Sequence, residues 1–307
     1  MAMSFKNNLA RVFRRTLTRI SPVLNTRVCY RAKFGRRLDL HEPKTFNEKI
    51  LWLKFNTYRN NELIRQCADK IRVRQFVESR DRGYMLNRLV AVYDSPDDIV
   101  WENMPESFAL KLNIGCGSNL IVRSKSTTCK EEAIAKAKTW MKGNYWLNYA
   151  ELQYKGVTPR LLVEDYIGDP AAGSLPMDYK FYCMNGVCRY ILVCADRGVE
   201  TEGSNHSVKF FFMDRDWNVM PFSPEALKYK DIHIKKPAVI DKAIAEAEKL
   251  SVGFPFVRVD FFIEEERIIF GELTFTPAGG MDTELSMVPP GYRKSVDEIF
   301  GAELQLP

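Results

Sequence analysis

Three features of this 307-residue sequence predict an α+β fold. Residues 1–85 carry helix signals only. From Leu86 onward, short apolar or alternating runs read as strands. Several of those runs are joined by hairpin turns, not by the long helical crossovers that a parallel sheet requires.

The elements follow in order. Phe5, Leu9, Val12, Phe13, Leu17 and Ile20 recur at helical spacing, with Lys6, Arg11, Arg14, Arg15 and Arg19 between them. Thr45-Phe46-Asn47-Glu48 is a capping box opening a helix through Ile50, Trp52 and Leu53. Asp69 is a candidate N-cap for a helix from Lys70 to about Glu78. Leu89–Tyr93, Phe108–Leu112 and Leu120–Val122 read as strands, the last two separated by a Gly/Ser loop. Lys130–Lys142 is helical, with Gly143 as its stop. Leu161–Ile167 is a strand that breaks at Gly168-Asp169-Pro170. Tyr179–Met184 and Val187–Val193 flank Asn185-Gly186, the strongest short hairpin signal. Lys236-Pro237 opens a helix to Leu250, and Val257–Ile263 with Ile268–Phe275 forms a last hairpin. The division expected is a basic helical region 1–85, a small lobe 86–165 with the glycine-rich loop, and a large lobe 166–307.

The formal net charge of +6 is unevenly distributed. Residues 1–37 hold ten Lys/Arg and no acid, so the remaining chain is net acidic. A basic amphipathic helix suits an anionic membrane surface; it also suits a helix packed on the body with a solvated basic face. No aromatic-interleaved recognition motif accompanies the arginines, so nucleic acid is not expected as a partner. No stretch approaches the ~20 apolar residues that span a bilayer, and the basic N-terminus lacks the apolar core of a secretory signal. A cytoplasmic location is therefore expected. The seven cysteines are scattered, with no C-x-x-C spacing, and read as reduced thiols.

Four stretches carry chemistry. Lys111 lies on the polar face of its strand, just before Asn113-Ile114-Gly115-Cys116-Gly117-Ser118-Asn119. A lysine there can neutralise phosphate oxygens, and the glycines let backbone N–H groups approach them. The G-K-[ST] ending of a Walker loop is absent. Alone, this also fits a plain glycine turn beside a surface lysine. Second, Arg258 and Asp260 share one strand face, and Glu272 and Thr274 share a face of the returning strand. A three-residue turn at Glu265–Arg267 puts Asp260 opposite Glu272, and a two-residue turn puts them on opposite faces. Facing carboxylates repel unless a cation lies between them, which magnesium does while holding nucleotide phosphates. The planar fork of Arg258 suits a transferred phosphate. A solvated hairpin face is the competing reading. Third, the strand ending Glu164-Asp165-Tyr166-Ile167 suits a hinge against an adenine ring, or is simply a strand end. Fourth, Lys180 in Met177-Asp178-Tyr179-Lys180 can be a second phosphate contact or a surface ion-pair partner.

These stretches, in this order, resemble the ATP-grasp superfamily. More narrowly, the chain resembles the TupA-like (teichuronopeptide-biosynthesis) family. The cues are Pro43–Lys49, Ala68-Asp69-Lys70 with Val73-Arg74, Leu110–Asn113, Asp178–Tyr182, Val257–Asp260 and Gly271–Pro277. The resemblance covers about residues 30–300. It implies two α+β lobes clasping ATP. It places Lys111 at the α-phosphate, with Lys70 or Lys180 adding phosphate contacts. Gly115, Gly117 and Ser118 form the flap. Glu164, Asp165, Tyr166 and Ile167 hold the adenine, and Asp169 or Asp178 reaches the ribose. Asp260 and Glu272 ligate magnesium, for which manganese can substitute. Many ATP-grasp enzymes carry Asn where Thr274 stands, which leaves its role as a third metal ligand open.

The implied activity is an ATP-dependent carboxylate–amine ligase that passes through an acyl phosphate, with Arg258 and Lys180 countering the transferred charge. Family context points to an amino acid or similar amine joined to a uronic acid in bacterial surface polysaccharide, lipid-linked and handled at the inner face of the plasma membrane. A glycosyltransferase of the same polysaccharides, which would use a nucleotide-sugar, is the rival activity. A non-catalytic basic adaptor and a peptide-extending ligase also fit the sequence. The loop Asp196–Ser207, with Gly198, Gly203 and His206, reads either as a substrate lid or as an ordinary exposed loop.

Overall fold

The computed structural model describes residues 2–172, 175–195 and 208–307; the loop Asp196–Ser207 lies outside them. Ten α-helices and nine strands alternate irregularly among the described residues. Helices α1 (Ala2–Ile20), α2 (Pro22–Phe34), α3 (Phe46–Asn56), α4 (Glu62–Ala68) and α5 (Val73–Ser79) come first. Strands β1 (Leu89–Tyr93), β2 (Phe108–Leu112) and β3 (Asn119–Val122) follow, then α6 (Lys130–Met141), α7 (Trp146–Tyr149) and β4 (Leu161–Asp165). Next are β5 (Asp178–Met184), β6 (Val187–Ala195), β7 (Lys209–Met213), α8 (Pro224–Lys228) and α9 (Ile240–Ser251). Strands β8 (Phe256–Glu264) and β9 (Arg267–Thr274) precede α10 (Val296–Glu303). Among the described residues no helix is long and apolar enough to cross a membrane.

The chain divides into two compact units, one of residues 1–65, 143–157 and 275–307, the other of residues 66–142 and 158–274. In the first, Thr45 and Glu48 form the expected capping box of α3. Asp297 at the start of α10 accepts from the Asn47 N–H at 2.8 Å, which ties the two helices together. Lys54 is buried on α3, and its ammonium donates to the carbonyls of Tyr149 and Gly279. Burial pulls its pKa down to about 8, partly offset by Glu151.

The second unit is built on two antiparallel sheets, with strand orders β1-β4-β2-β3 and β7-β6-β5-β8-β9. Asn185 and Gly186 both have positive φ (51° and 83°), as a tight I′-like hairpin turn between β5 and β6 requires. The helix expected at Asp69 starts later. The Asp69 carboxylate accepts from the N–H groups of Ile71 and Arg72, closing a turn, and α5 begins only at Val73. Aspartate satisfies nearby N–H groups in a turn as readily as at an N-cap, so the signal was genuine and the boundary was displaced.

The β8–β9 hairpin follows neither expected turn geometry in full. Glu264 pairs with Arg267, which leaves a two-residue turn. That turn alone would put Asp260 and Glu272 on opposite faces. The register shifts between Asp260 and Phe261, however, and Phe261 pairs with Phe270, so Gly271 is an extra residue in β9. This bulge restores Asp260 opposite Glu272. Glycine suits this close approach: a Cβ on Gly271 would lie 3.0 Å from the Asp260 carbonyl oxygen.

Candidate functional site

Strand pairing arranges the charged residues in rows on one face of the five-stranded sheet. Lys180, Asp260 and Glu272 are cross-strand neighbours on β5, β8 and β9. The next row is Tyr182, Arg258 and Thr274. Opposed residues on antiparallel strands project to the same side, so hydrogen bonding brings these side chains together.

The rows form one ionic network. Arg258 grips Asp260 through Nε and Nη2, both at 2.7 Å, and its Nη2 donates to the Thr274 hydroxyl at 3.1 Å. The Thr274 hydroxyl in turn donates to Glu272 at 3.1 Å. Lys180 donates to Asp260 at 2.7 Å and also to Asp178. Lys70 lies 3.4 Å from Glu272 and donates to the Gly115 carbonyl at 2.7 Å, linking the glycine loop to the sheet.

The electrostatics follow from this packing. Burial alone would lift the Glu272 carboxyl, but Lys70, Arg258 and Lys180 overcome it and hold its pKa down at about 2. Burial opposes the charge of Lys180 and of Arg258 as well. Asp260 outweighs that penalty, and both are pushed above their ordinary values. Glu272, Lys180 and Arg258 are therefore charged at neutral pH.

Lys111 on β2 donates to Glu164 on β4 at 2.7 Å, and Arg74 holds the other Glu164 oxygen at 3.3 Å. Asp165 forms a two-pronged pair with Arg88 at 2.7 and 2.9 Å. The loop between β2 and β3 is fixed by Asn113, a buried residue. Its amide group bonds Asp69, the Thr158 carbonyl and the Arg160 N–H. Gly115 and Gly117 both adopt positive φ (76° and 74°), so the loop turns back tightly with little side-chain cover.

Two adjoining cavities result. One, of about 200 Å³, is lined by Lys70, Lys111, Gly115, Gly117, Ser118, Asp178, Lys180, Asp260 and Glu272, together with Cys116, Asn119, Phe262 and Gly271. The second, of about 110 Å³, is largely apolar, with Ala109, Ile121, Ile167, Leu175, Pro176 and Phe262 around Lys111, Asn119, Asp165 and Tyr166. The buried Tyr166 hydroxyl has no hydrogen-bond partner among the described residues. Lys111, Asn119 and Phe262 line both cavities. Glu164, Asp169, Arg258 and Thr274 line neither; Glu164 is turned to Lys111 and Arg74, and Arg258 is turned to Asp260.

The donor set fits a hard divalent cation shared with a polyphosphate. Asp260 and Glu272 offer carboxylate oxygens on adjacent strands, with the Thr274 hydroxyl beside them. Among the described residues no cluster of three or more His, Cys, Asp or Glu could hold a metal unaided. Magnesium characteristically takes one or two carboxylates and completes its shell with water and substrate phosphate.

Sequence reasoning missed the part played by four contributors. Arg74 steadies Glu164, and Asn113 anchors the loop. Phe262 borders both cavities, and Gly271 makes the bulge. Only Gly271 carried a usable local signal, a glycine inside a strand.

The TupA-like ATP-grasp family profile matches residues 48–305. No curated protein matches the chain. Among solved structures, D-alanine–D-alanine ligase from Bacillus anthracis shares 16% identity at a TM-score of 0.39, covering 70% of this chain and 58% of that one. The Helicobacter pylori D-alanine–D-alanine ligase shares 12% at a TM-score of 0.42, covering 85% and 69%. N5-carboxyaminoimidazole ribonucleotide synthetase from Thermus thermophilus shares 13% at a TM-score of 0.39, covering 70% and 46%. The chain thus spans a little over half the length of the first of these ligases.

Proposed function

The chain belongs to the TupA-like ATP-grasp family, and from that premise we propose that it is an ATP- and magnesium-dependent carboxylate–amine ligase. The observation that carries the proposal is the gathering of three lysines, a glycine loop and two facing carboxylates around one cavity of about 200 Å³. The four-stranded sheet, within residues 86–165, supplies the flap. The five-stranded sheet, within 166–307, supplies the metal-side carboxylates.

Adenine enters the apolar cavity against Ile121, Ile167 and Phe262, with Asp165 and Tyr166 at its wall. Asp178 lies within reach of the ribose. The triphosphate runs beneath Gly115, Gly117 and Ser118. Lys111 meets the α-phosphate, with Lys70 and Lys180 further along; each lysine exchanges a carboxylate partner for phosphate oxygens. Magnesium, for which manganese can substitute, would be held by Asp260 and Glu272 with Thr274 at the margin, and would neutralise phosphate charge. Arg258 holds Asp260 in place and, with Lys180, counters charge on the transferred phosphoryl group. A substrate carboxylate oxygen attacks the γ-phosphorus, the bond to the bridging oxygen breaks, and ADP leaves. An uncharged amine then attacks the acyl carbon and releases phosphate, forming the amide. The protein mainly positions reactants and stabilises charge.

The acceptor in this reading is a uronic-acid carboxylate of a bacterial surface polysaccharide, lipid-linked and met in the cytoplasm at the inner leaflet, where residues 1–37 favour an anionic surface. The amine is an amino acid. The test is incubation with Mg-ATP and a matrix of uronic acids and amino acids, with ADP, phosphate and amide product measured. Release of ADP and phosphate only when a carboxylate and an amine are both present is the expected result. Stabilisation against heat by Mg-UDP-sugars and not by Mg-ATP would overturn the proposal in favour of a glycosyltransferase.

A further inference from the structure

Helix α1 leaves several of its described apolar side chains uncovered. Thr18 is fully buried and donates to the Leu147 carbonyl at 2.9 Å, and Arg14 and Arg15 are half-buried on that side. The apolar residues Val12, Phe13 and Ile20 point outward instead, 58%, 58% and 75% exposed, with Arg11 and Arg19 exposed among them. Helix α2 repeats the arrangement. Asn25, Thr26, Cys29 and Tyr30 are buried, whereas Leu24, Arg27, Val28 and Arg31 form one outward stripe at i, i+3, i+4, i+7 spacing.

After α2 the chain turns at Gly35, whose N–H bonds the Arg31 carbonyl at 2.9 Å. The turn returns Arg37 and Leu38 to the stripe. The result is a recess of about 290 Å³ lined by Arg27, Arg31 and Arg37 together with Val28 and Leu38. No acid lines it. Among the described residues none of the three guanidinium groups has a hydrogen bond or ion pair. The contrast is Arg36, one residue away, which is paired with Glu48 and faces Asp297 at 3.9 Å. Three adjacent cations without an ion pair, beside apolar side chains, suit an anion with an apolar continuation, although Arg37 also borders a neighbouring cavity that holds Asp39, Glu42 and Glu48.

We propose that this recess binds the phosphate of an anionic lipid at a membrane surface. The arginine forks take the phosphate oxygens. Val28 and Leu24 lie beneath the upper acyl chain, and the outward apolar residues of α1 add a second contact. The inference deepens the membrane partner proposed above and is independent of the ligase chemistry.

Cys29, Tyr30, Leu38, Leu51 and Met281 form one core cluster. Removing α2 would damage that unit, so the test uses point variants of the full chain. Co-sedimentation compares vesicles of phosphatidylcholine alone with vesicles that also contain phosphatidylglycerol. The wild-type protein should bind the anionic vesicles only. Each arginine near an anionic surface is worth about fivefold in binding, so R27Q/R31Q/R37Q should weaken it on the order of a hundredfold. The thermal shift with Mg-ATP should be unchanged. Leu24→Ser with Val28→Ser should also weaken binding.

A control triple variant, K136Q/K142Q/K294Q, should lose little; an equal loss would make the effect one of general charge and overturn the recess. Displacement from vesicles by millimolar inorganic phosphate at constant ionic strength would assign the site to soluble phosphate and overturn the lipid. If the wild-type protein ignores anionic vesicles, the membrane reading fails together with this one. If it binds them and the arginine variant binds equally, the recess alone fails. Neither result touches ATP turnover.

Discussion

Replacing Asp260 with Asn separates a metal-binding role from an ion-pairing one. Asp260 is 3% exposed and accepts three hydrogen bonds at 2.7 Å, two from Arg258 and one from Lys180. Asparagine removes the charge and turns an amide N–H₂ toward donors. Arg258 is then left with Glu272 at 3.6 Å, and Lys180 with Asp178. Deleting one partner of a buried pair costs about 3–5 kcal/mol, and these surviving partners put the cost near the lower end. At roughly 2–4 °C per kcal/mol for a unit of this size, Asp260→Asn should melt roughly 6–12 °C lower. Adding Lys180→Met removes one stranded cation, so the double variant should melt above the sum of the two losses, with a coupling of about 1–3 kcal/mol. Stability is thereby partly restored while metal binding is not. The assay is thermal melting with and without Mg-ATP, with ADP release measured alongside. At roughly a hundredfold excess over its dissociation constant, Mg-ATP should stabilise the wild-type protein by about 2.7 kcal/mol and both variants by far less. Asp260→Asn that melts lower yet still gains from Mg-ATP and still turns it over would make Asp260 a structural anion only. That result would refute the site.

Gly271→Ala should cost about 1–3 kcal/mol in melting, because its Cβ meets backbone and not a yielding side chain, and it should raise the magnesium concentration needed for half-maximal ATP turnover. Lys111→Met removes one charge-assisted contact. It should raise the KM for ATP roughly 10- to 100-fold while costing less stability than Asp260→Asn, because Arg74 still holds Glu164. The Glu272 carboxyl is depressed from 4.5 to about 2, so its contribution to stability is present above pH 4.5 and is lost as the pH falls toward 2. The melting difference between wild type and Glu272→Gln should therefore narrow across that interval; a constant difference would contradict the ion-pairing described for Glu272.

What was legible in the sequence was local. Thr45 and Glu48 cap α3 because a capping box needs only four consecutive residues. Asn185-Gly186 turns β5 into β6 because both residues tolerate positive φ. The order of Lys111, Asp178, Lys180, Asp260 and Glu272 along the chain identified residues that line one cavity. What was illegible depends on pairing between distant strands. Nothing near Glu164 says that Arg74 and Lys111 share its carboxylate. The spacing of Phe5, Val12, Phe13 and Ile20 correctly marks a helix, but spacing cannot say whether that face is covered, and the structure leaves Val12, Phe13 and Ile20 outside. The short helices α7, α8 and α10 carry too few turns for periodicity to register.

The extra residue in β9 also sets where this hairpin can change length. Deleting Gly271 would leave Phe270 opposite Phe261 and bring Glu272 opposite Asp260 in an unbroken ladder, so the two carboxylates would still share a face. A residue added at the tip would be taken up by the turn. A residue inserted between Glu272 and Thr274 would instead turn Thr274 to the opposite face, away from Glu272 and Arg258. Length variation in this hairpin should therefore be tolerated at the tip and at Gly271, and not between Glu272 and Thr274.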